Sequence, residues 1–168
     1  MKKPFLKPIV FFLIAPAIFF AFTSKPDRVN FSGDWKLNAG KSDLGQFADW
    51  ATRTIKADQK ADAISISRTA PSFEGGDRTT VEVLTFDGKE VETTLFGTSK
   101  KKSIAKWSED GQTLTITYTL FLDFNGETNE IKGTETWTLT DGGKTLVSQI
   151  NSSSSFGDLS TKAIYEKQ

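Results

Sequence analysis

Neither cysteine nor histidine occurs anywhere in this 168-residue sequence. Without thiols there is no disulfide framework, so stability must come from a packed core. Without imidazole or thiolate, the usual zinc and haem ligands are missing. So are the Ser-His-Asp and Cys-His nucleophile systems and the side chain that most often titrates near neutrality. Any chemistry would have to run on carboxylates, tyrosine, lysine or serine. No spacing matches a calcium loop or a phosphate-cradling loop, so neither metal nor cofactor is expected.

A long hydrophobic run is also lacking. The chain opens MKKPFLKPIVFFLIAPAIFFAF, with Lys2, Lys3 and Lys7 ahead of an apolar stretch from Ile9 to Phe22 that Pro16 interrupts. That stretch is shorter than the roughly 20 residues a spanning helix needs. It reads as a secretory signal peptide over 1–24, with cleavage near Ala21, Thr23 or Ser24. A short linker at 25–30 then leads into one domain over 31–168. The expected location is therefore periplasmic or extracellular, with no integral membrane span after cleavage.

An excess of one charge is absent as well, since 21 Lys and Arg stand against 21 Asp and Glu. Three of the lysines leave with the leader and no acid does, so the mature charge is about −3, which argues against a nucleic-acid partner. The densest basic run, Lys100 to Lys102, reads as a solvated loop or strand end. The expected state is a monomer.

What is present is alternation. In TLTITYTLFLDF (113–124), Leu114, Ile116, Tyr118, Leu120, Leu122 and Phe124 alternate with mostly polar residues, which predicts a long half-buried strand. The same rhythm runs through 51–58, 63–69, 79–86, 91–97, 101–107, 130–140, 145–153 and 159–167. With the opening FSGDWKLN the count is about ten strands, within the range of closed antiparallel barrels. Asp87-Gly88, Asp110-Gly111, Asn125-Gly126 and Asp141-Gly142-Gly143 supply hairpin turns between them. The only helical candidate is a short turn within 42–50 that Ser42 or Asp43 could cap. NSSSSFGD (151–158) reads as a Ser-rich loop. Successive antiparallel strands with tight turns lose their exposed edges only by closing. The expected fold is all-β, a single up-and-down β-barrel of about 8–10 strands.

Gly33-Asp34-Trp35 at the head of the first strand, followed by KLNAGKSDLG, resembles the start of the calycin superfamily, which includes lipocalins and intracellular fatty-acid-binding proteins. The wording Phe-x-Gly-x-Trp-Lys-Leu-Asn is nearer to the exported lipocalin-like proteins of bacteria. The ending TKAIYEKQ is similar to the last strand of the fatty-acid-binding branch. This resemblance implies a lipocalin-like barrel with Trp35 sealing one end, partnered by a late basic residue. No Arg follows Arg78, so Lys162 or Lys167 would have to serve. The family's carboxylate-gripping Arg is Ala163 here, which leaves Tyr165 as the residue carried over. The stretch 39–50 is shorter than that branch's two-helix lid.

Charges on apolar faces mark candidate pocket residues, because a buried charge is costly unless paired or used. Arg53 follows the face of Ala51 and Ile55, and Arg68 that of Ile64 and Ile66. Glu135 shares a face with Ile131 and Trp137. Tyr118 and Tyr165 add polar tips on apolar faces. Arg53, Arg68, Tyr118, Glu135, Trp137 and Tyr165 are thus the expected ligand-binding residues, with no catalytic residue among them. Glu82, Glu90, Glu92, Glu109, Asp110, Glu127 and Glu130 read as surface. The expected function is binding of a small hydrophobic or amphipathic ligand in the barrel without covalent chemistry. Two alternatives stay open. One is a structural or interaction module with a filled core that acts through its loops, for example as an inhibitor or envelope partner. The other is an enzyme using a tyrosine or carboxylate inside the barrel.

Overall fold

The computed structural model describes residues 27–72, 75–124, 127–155 and 157–168. The leader assigned to 1–24, the start of the linker and the Asn125-Gly126 turn lie outside them.

Ten strands follow one another: β1 (Gly33–Leu37), β2 (Thr54–Gln59), β3 (Ala63–Pro71), β4 (Asp77–Thr85), β5 (Val91–Phe96), β6 (Ser99–Trp107), β7 (Thr113–Phe124), β8 (Glu127–Thr140), β9 (Thr145–Ser154) and β10 (Gly157–Lys167). They form one sheet in the order β4-β3-β2-β1-β10-β9-β8-β7-β6-β5, with every described ladder antiparallel. The first strand pairs with both its successor and the last strand, Trp35 standing opposite Ile55 on one side and Lys167 on the other. This wraps the sheet into a nearly closed barrel. Period-two patterning sets which side faces in: Leu114 and Ile116 are fully buried, while Thr113, Thr115 and Thr117 on the alternate positions face outward.

Closure is not complete, contrary to the expectation that every edge is removed. No ladder joins β4 to β5 among the described residues. Side chains bridge this seam instead. Glu82 on β4 accepts hydrogen bonds from Lys101 and Ser103 on β6, reaching past the short β5. Farther along, the Arg78 guanidinium lies 5.1 Å from the Phe96 ring centre.

Three other local expectations are corrected. The turn within 42–50 forms as a 3-10 turn, Gly45–Trp50, preceded by Leu44 with no side-chain cap. Ser42 and Asp43 are committed elsewhere: Ser42 Oγ accepts from the Ile164 amide at 2.9 Å, and Asp43 pairs its backbone with Lys162. Both fasten the β1–β2 crossover to β10. Within the Ser-rich stretch, residues 151–154 belong to β9 and pair with β10, and the exposed side chains of Ser160 and Asn151 bond each other at 2.8 Å. The basic run 100–102 lies at the start of β6, but its middle residue, Lys101, is buried and not solvated.

One end of the barrel is sealed by aromatic rings. Trp35 is 1% exposed and donates Nε1–H to the Phe31 carbonyl at 2.9 Å. Phe31 stacks on Trp107 and meets Trp137 edge-on, each at 5.6 Å between centres. Lys167 Nζ sits 5.2 Å over the Trp35 ring, so of the two lysines considered it is the late basic partner. Gly33 makes room for it. A Cβ there would come within 2.8 Å of Lys167 Cε, and φ of +146° is a conformation that side chains disfavour.

Candidate ligand chamber

Above the aromatic floor the barrel holds a chamber of about 220 Å³, lined on its apolar side by Leu95, Leu120 and Ile150 and on its polar side by charged residues from four strands. Arg68 projects from β3 and forks. One nitrogen donates to Glu82 Oε2 at 3.1 Å and the other to Glu135 Oε2 at 2.9 Å. Lys101 from β6 donates to the same Glu82 oxygen at 2.8 Å. Glu135 also accepts from Trp137 Nε1 at 2.6 Å and from Ser148 Oγ at 2.8 Å. Two cations therefore face two carboxylates, and hydroxyl or indole donors take up remaining acceptor sites. Such mutual satisfaction is what allows charges to stay inside a barrel.

The electrostatics follow from this pairing. Burial pushes the Glu135 carboxyl upward, but Arg68, Lys101 and the Trp137 and Ser148 donors outweigh it and hold it below the ordinary carboxylate range. Glu82 is held low in the same way, by Lys101, Arg68 and Ser103 against burial. Burial, reinforced by the Arg68 charge, holds the Lys101 ammonium below the usual lysine range. Tyr118 is pushed up to about 12 by burial and by the Glu135 charge. Tyr165 moves in the same direction for the same two reasons. Both phenols stay protonated donors, and the Tyr165 hydroxyl donates a hydrogen bond to the Thr52 carbonyl at 3.1 Å.

Tyr118 explains a glycine in the middle of β8. Tyr118, Gly133 and Ser152 stand side by side on three adjacent strands. The phenol ring crosses Gly133 to bond Ser152, and a Cβ on Gly133 would lie 2.4 Å from the ring carbon Cζ. A bare position under a cross-strand aromatic is a recognised sheet device. Gly133→Ala is expected to lower unfolding free energy by about 1–3 kcal/mol, the range for overpacking. Urea melts of Gly133→Ala, Tyr118→Ala and the double variant check it. Losses that do not add in the double variant identify the ring as the obstacle.

Of the residues singled out from sequence, Arg68, Glu135, Tyr118 and Tyr165 line this one chamber, and Trp137 lies beneath it, with the Arg68 guanidinium 5.4 Å from its ring centre. Arg53 does not join them. It precedes β2 at the rim, where it pairs with Asp77 at 2.9 Å with more than half its side chain in solvent. Sitting at a strand end lets its long side chain turn outward.

Sequence reasoning missed Glu82 and Lys101, both buried although the first was read as surface and the second as part of a solvated run. On β4 the apolar residues Val81 and Val83 point outward, each about half exposed, while Glu82 and Leu84 point inward. On β6 the inward face carries Ser99, Lys101, Ser103 and Ala105, and Lys100 and Lys102 pair outside with Glu92 and Glu90. The available signal was Leu84, whose period-two face includes Glu82.

The chain is thus a nearly closed ten-stranded antiparallel barrel that holds an internal chamber above its first strand, a calycin-like fold. Among solved structures it is similar to the zebrafish ileal bile acid-binding protein complexed with cholic acid, at 18% identity and a TM-score of 0.51. That likeness covers 82% of this chain and 98% of the zebrafish one. No family model matches the sequence, and no curated protein matches it.

Proposed function

We propose that this chain is an exported, lipocalin-like binding protein that acts as a monomer, holding one small amphipathic molecule in the chamber without turning it over. The observation that carries this reading is the chamber itself: an apolar wall of Leu95, Leu120 and Ile150 faces a fixed charged patch inside a barrel sealed at the other end. An apolar body with a few oriented polar contacts is the usual composition of a ligand site. The bile acid-binding neighbour supports the barrel as a container, and the leader-like N-terminus supports export. The volume favours a ligand smaller than a bile acid, since drug-sized pockets run from about 300 Å³ upward.

Native mass spectrometry and solvent extraction of the purified protein test this reading, together with titration of small apolar probes. A bound small molecule or saturable probe uptake is expected, and Leu120→Trp, which fills the chamber, removes it. A protein that carries nothing and takes up no probe overturns it. The interaction-module reading has one observation in its favour. Phe47 and Trp50 on the 3-10 turn of the crossover are 41% and 44% exposed, and a partner could cover them.

A further inference from the structure

We infer that Lys101 is a covalent docking point inside the chamber, where its amine captures a small aldehyde or ketone as a reversible imine. This rests on the chamber-binding reading and goes beyond it by naming the chemical class of the ligand.

Lys101 is the buried lysine among the described residues, its side chain 11% exposed, and it lines the chamber with Leu95, Leu120 and Tyr118. Other ion-paired lysines, such as Lys60, Lys89 and Lys132, have side chains at least two-thirds exposed. The ionisable chamber groups around Lys101 come from five strands. Glu82 on β4 lies at 2.8 Å, near enough to take the ammonium proton. Arg68 on β3 shares that carboxylate, so Glu82 keeps a cationic partner when Lys101 is neutral. Glu135 on β8 is held by Arg68, and Tyr165 on β10 remains protonated against Thr52. Tyr118 on β7 places its ring 5.1 Å from Nζ, an aromatic surface against which a planar carbonyl compound can lie. A desolvated lysine beside another cation is the arrangement that frees an amine for imine chemistry.

The step balances without an oxidant or reductant. Glu82 takes a proton from Nζ, and the nitrogen lone pair forms a C–N bond to the carbonyl carbon as the C=O π pair moves to oxygen. The resulting alkoxide takes that proton back from Glu82, and the now cationic nitrogen passes one of its two remaining protons to Glu82, which leaves a neutral carbinolamine. Glu82 returns this proton to the hydroxyl, which leaves as water while the nitrogen lone pair closes C=N as an iminium. Ammonium plus carbonyl thus gives iminium plus water, with no net exchange of protons with solvent. The iminium keeps a positive charge beside Glu82, so the two-cation, two-carboxylate balance of the chamber is preserved. A chamber of about 220 Å³ suits a one-ring compound, since a cavity of about 150 Å³ accepts benzene.

The test uses benzaldehyde with cyanoborohydride on the full folded protein, followed by peptide mapping, and benzyl alcohol as a carbonyl-free probe of the same size. Lys101 should be alkylated about tenfold faster than Lys60 or Lys89, as expected for a desolvated amine. Lys101→Arg keeps the charge and the Glu82 contact, and should lose the fast site while its urea midpoint shows that it is folded. If benzyl alcohol binds but Lys101 is labelled no faster than Lys89, the covalent inference fails and the chamber reading stands. If neither compound binds, both fail.

Discussion

Arg68→Met is expected to lower the unfolding free energy by about 3–5 kcal/mol, the range for removing one partner of a buried ion pair. Arg68 is the only group that touches both internal carboxylates in the described network. Its loss leaves Glu82 with Lys101 and Ser103, but leaves Glu135 with only the Trp137 and Ser148 donors. A buried carboxylate then lacks a cation, and the barrel must either admit water or hold a proton there. Arg68→Lys should recover only part of the loss, because an ammonium cannot present two divergent N–H groups in the guanidinium plane. Combining Arg68→Met with Glu135→Gln should cost less than the sum of the two single changes. Urea midpoints at constant m-value report all three. A loss below about 1 kcal/mol would class these pairs with solvated surface bridges.

The same network gives an acid limb with a defined sign. Glu82 and Glu135 titrate below the ordinary carboxylate range in the folded barrel. Their ionisation therefore stabilises the fold fully above the unfolded value of about 4.3 and is lost as pH falls below it, through the folded values. Glu135→Gln should be less stable at neutral pH and show a shallower fall in that acid window.

The fold was legible because most strands obey one rule. β7 places Leu114 and Ile116 inward with threonines on the alternate positions, and Asp110-Gly111 and Asp141-Gly142-Gly143 mark where the β6–β7 and β8–β9 hairpins reverse. Gly33 and Trp35 identified the sealed end, and Lys167 was one of two residues named for the partner. The site was legible where a charge interrupts an apolar face, as at Arg68 and Glu135. It failed on β4 and β6, which face each other across the seam past the short β5. There the inward positions are Glu82, Lys101 and Ser103, and the apolar residues Val81 and Val83 face solvent. Hydrophobic periodicity assigns each strand by itself, whereas these polar residues are stable inside because they satisfy one another across β4 and β6. That information resides in the pairing and not in either strand. Arg53 failed for the opposite reason: its face was apolar, but two residues before Ile55 the strand has reached the rim.

Trp35→Ala is expected to be as damaging as the loss of Arg68, by about 3–5 kcal/mol, through loss of a buried ring and the cavity left behind. The loss is purely one of packing. Trp35 is 1% exposed, its Nε1–H is satisfied by the Phe31 carbonyl, and its strand joins the first ladder to the last. Removing the indole also leaves Lys167 without its ring, but that contact is worth only about 0.5–1 kcal/mol at a partly exposed site. Lys167→Met should therefore fall near that smaller value, and the difference between the variants isolates the buried ring from the cation above it. Trp35 contributes no atom to the chamber lining. In Trp35→Ala, below its lowered melting temperature, a chamber probe should accordingly bind with the wild-type affinity, whereas Arg68→Met should change both stability and binding. Loss of binding in folded Trp35→Ala would instead show that the aromatic floor sets the shape of the chamber.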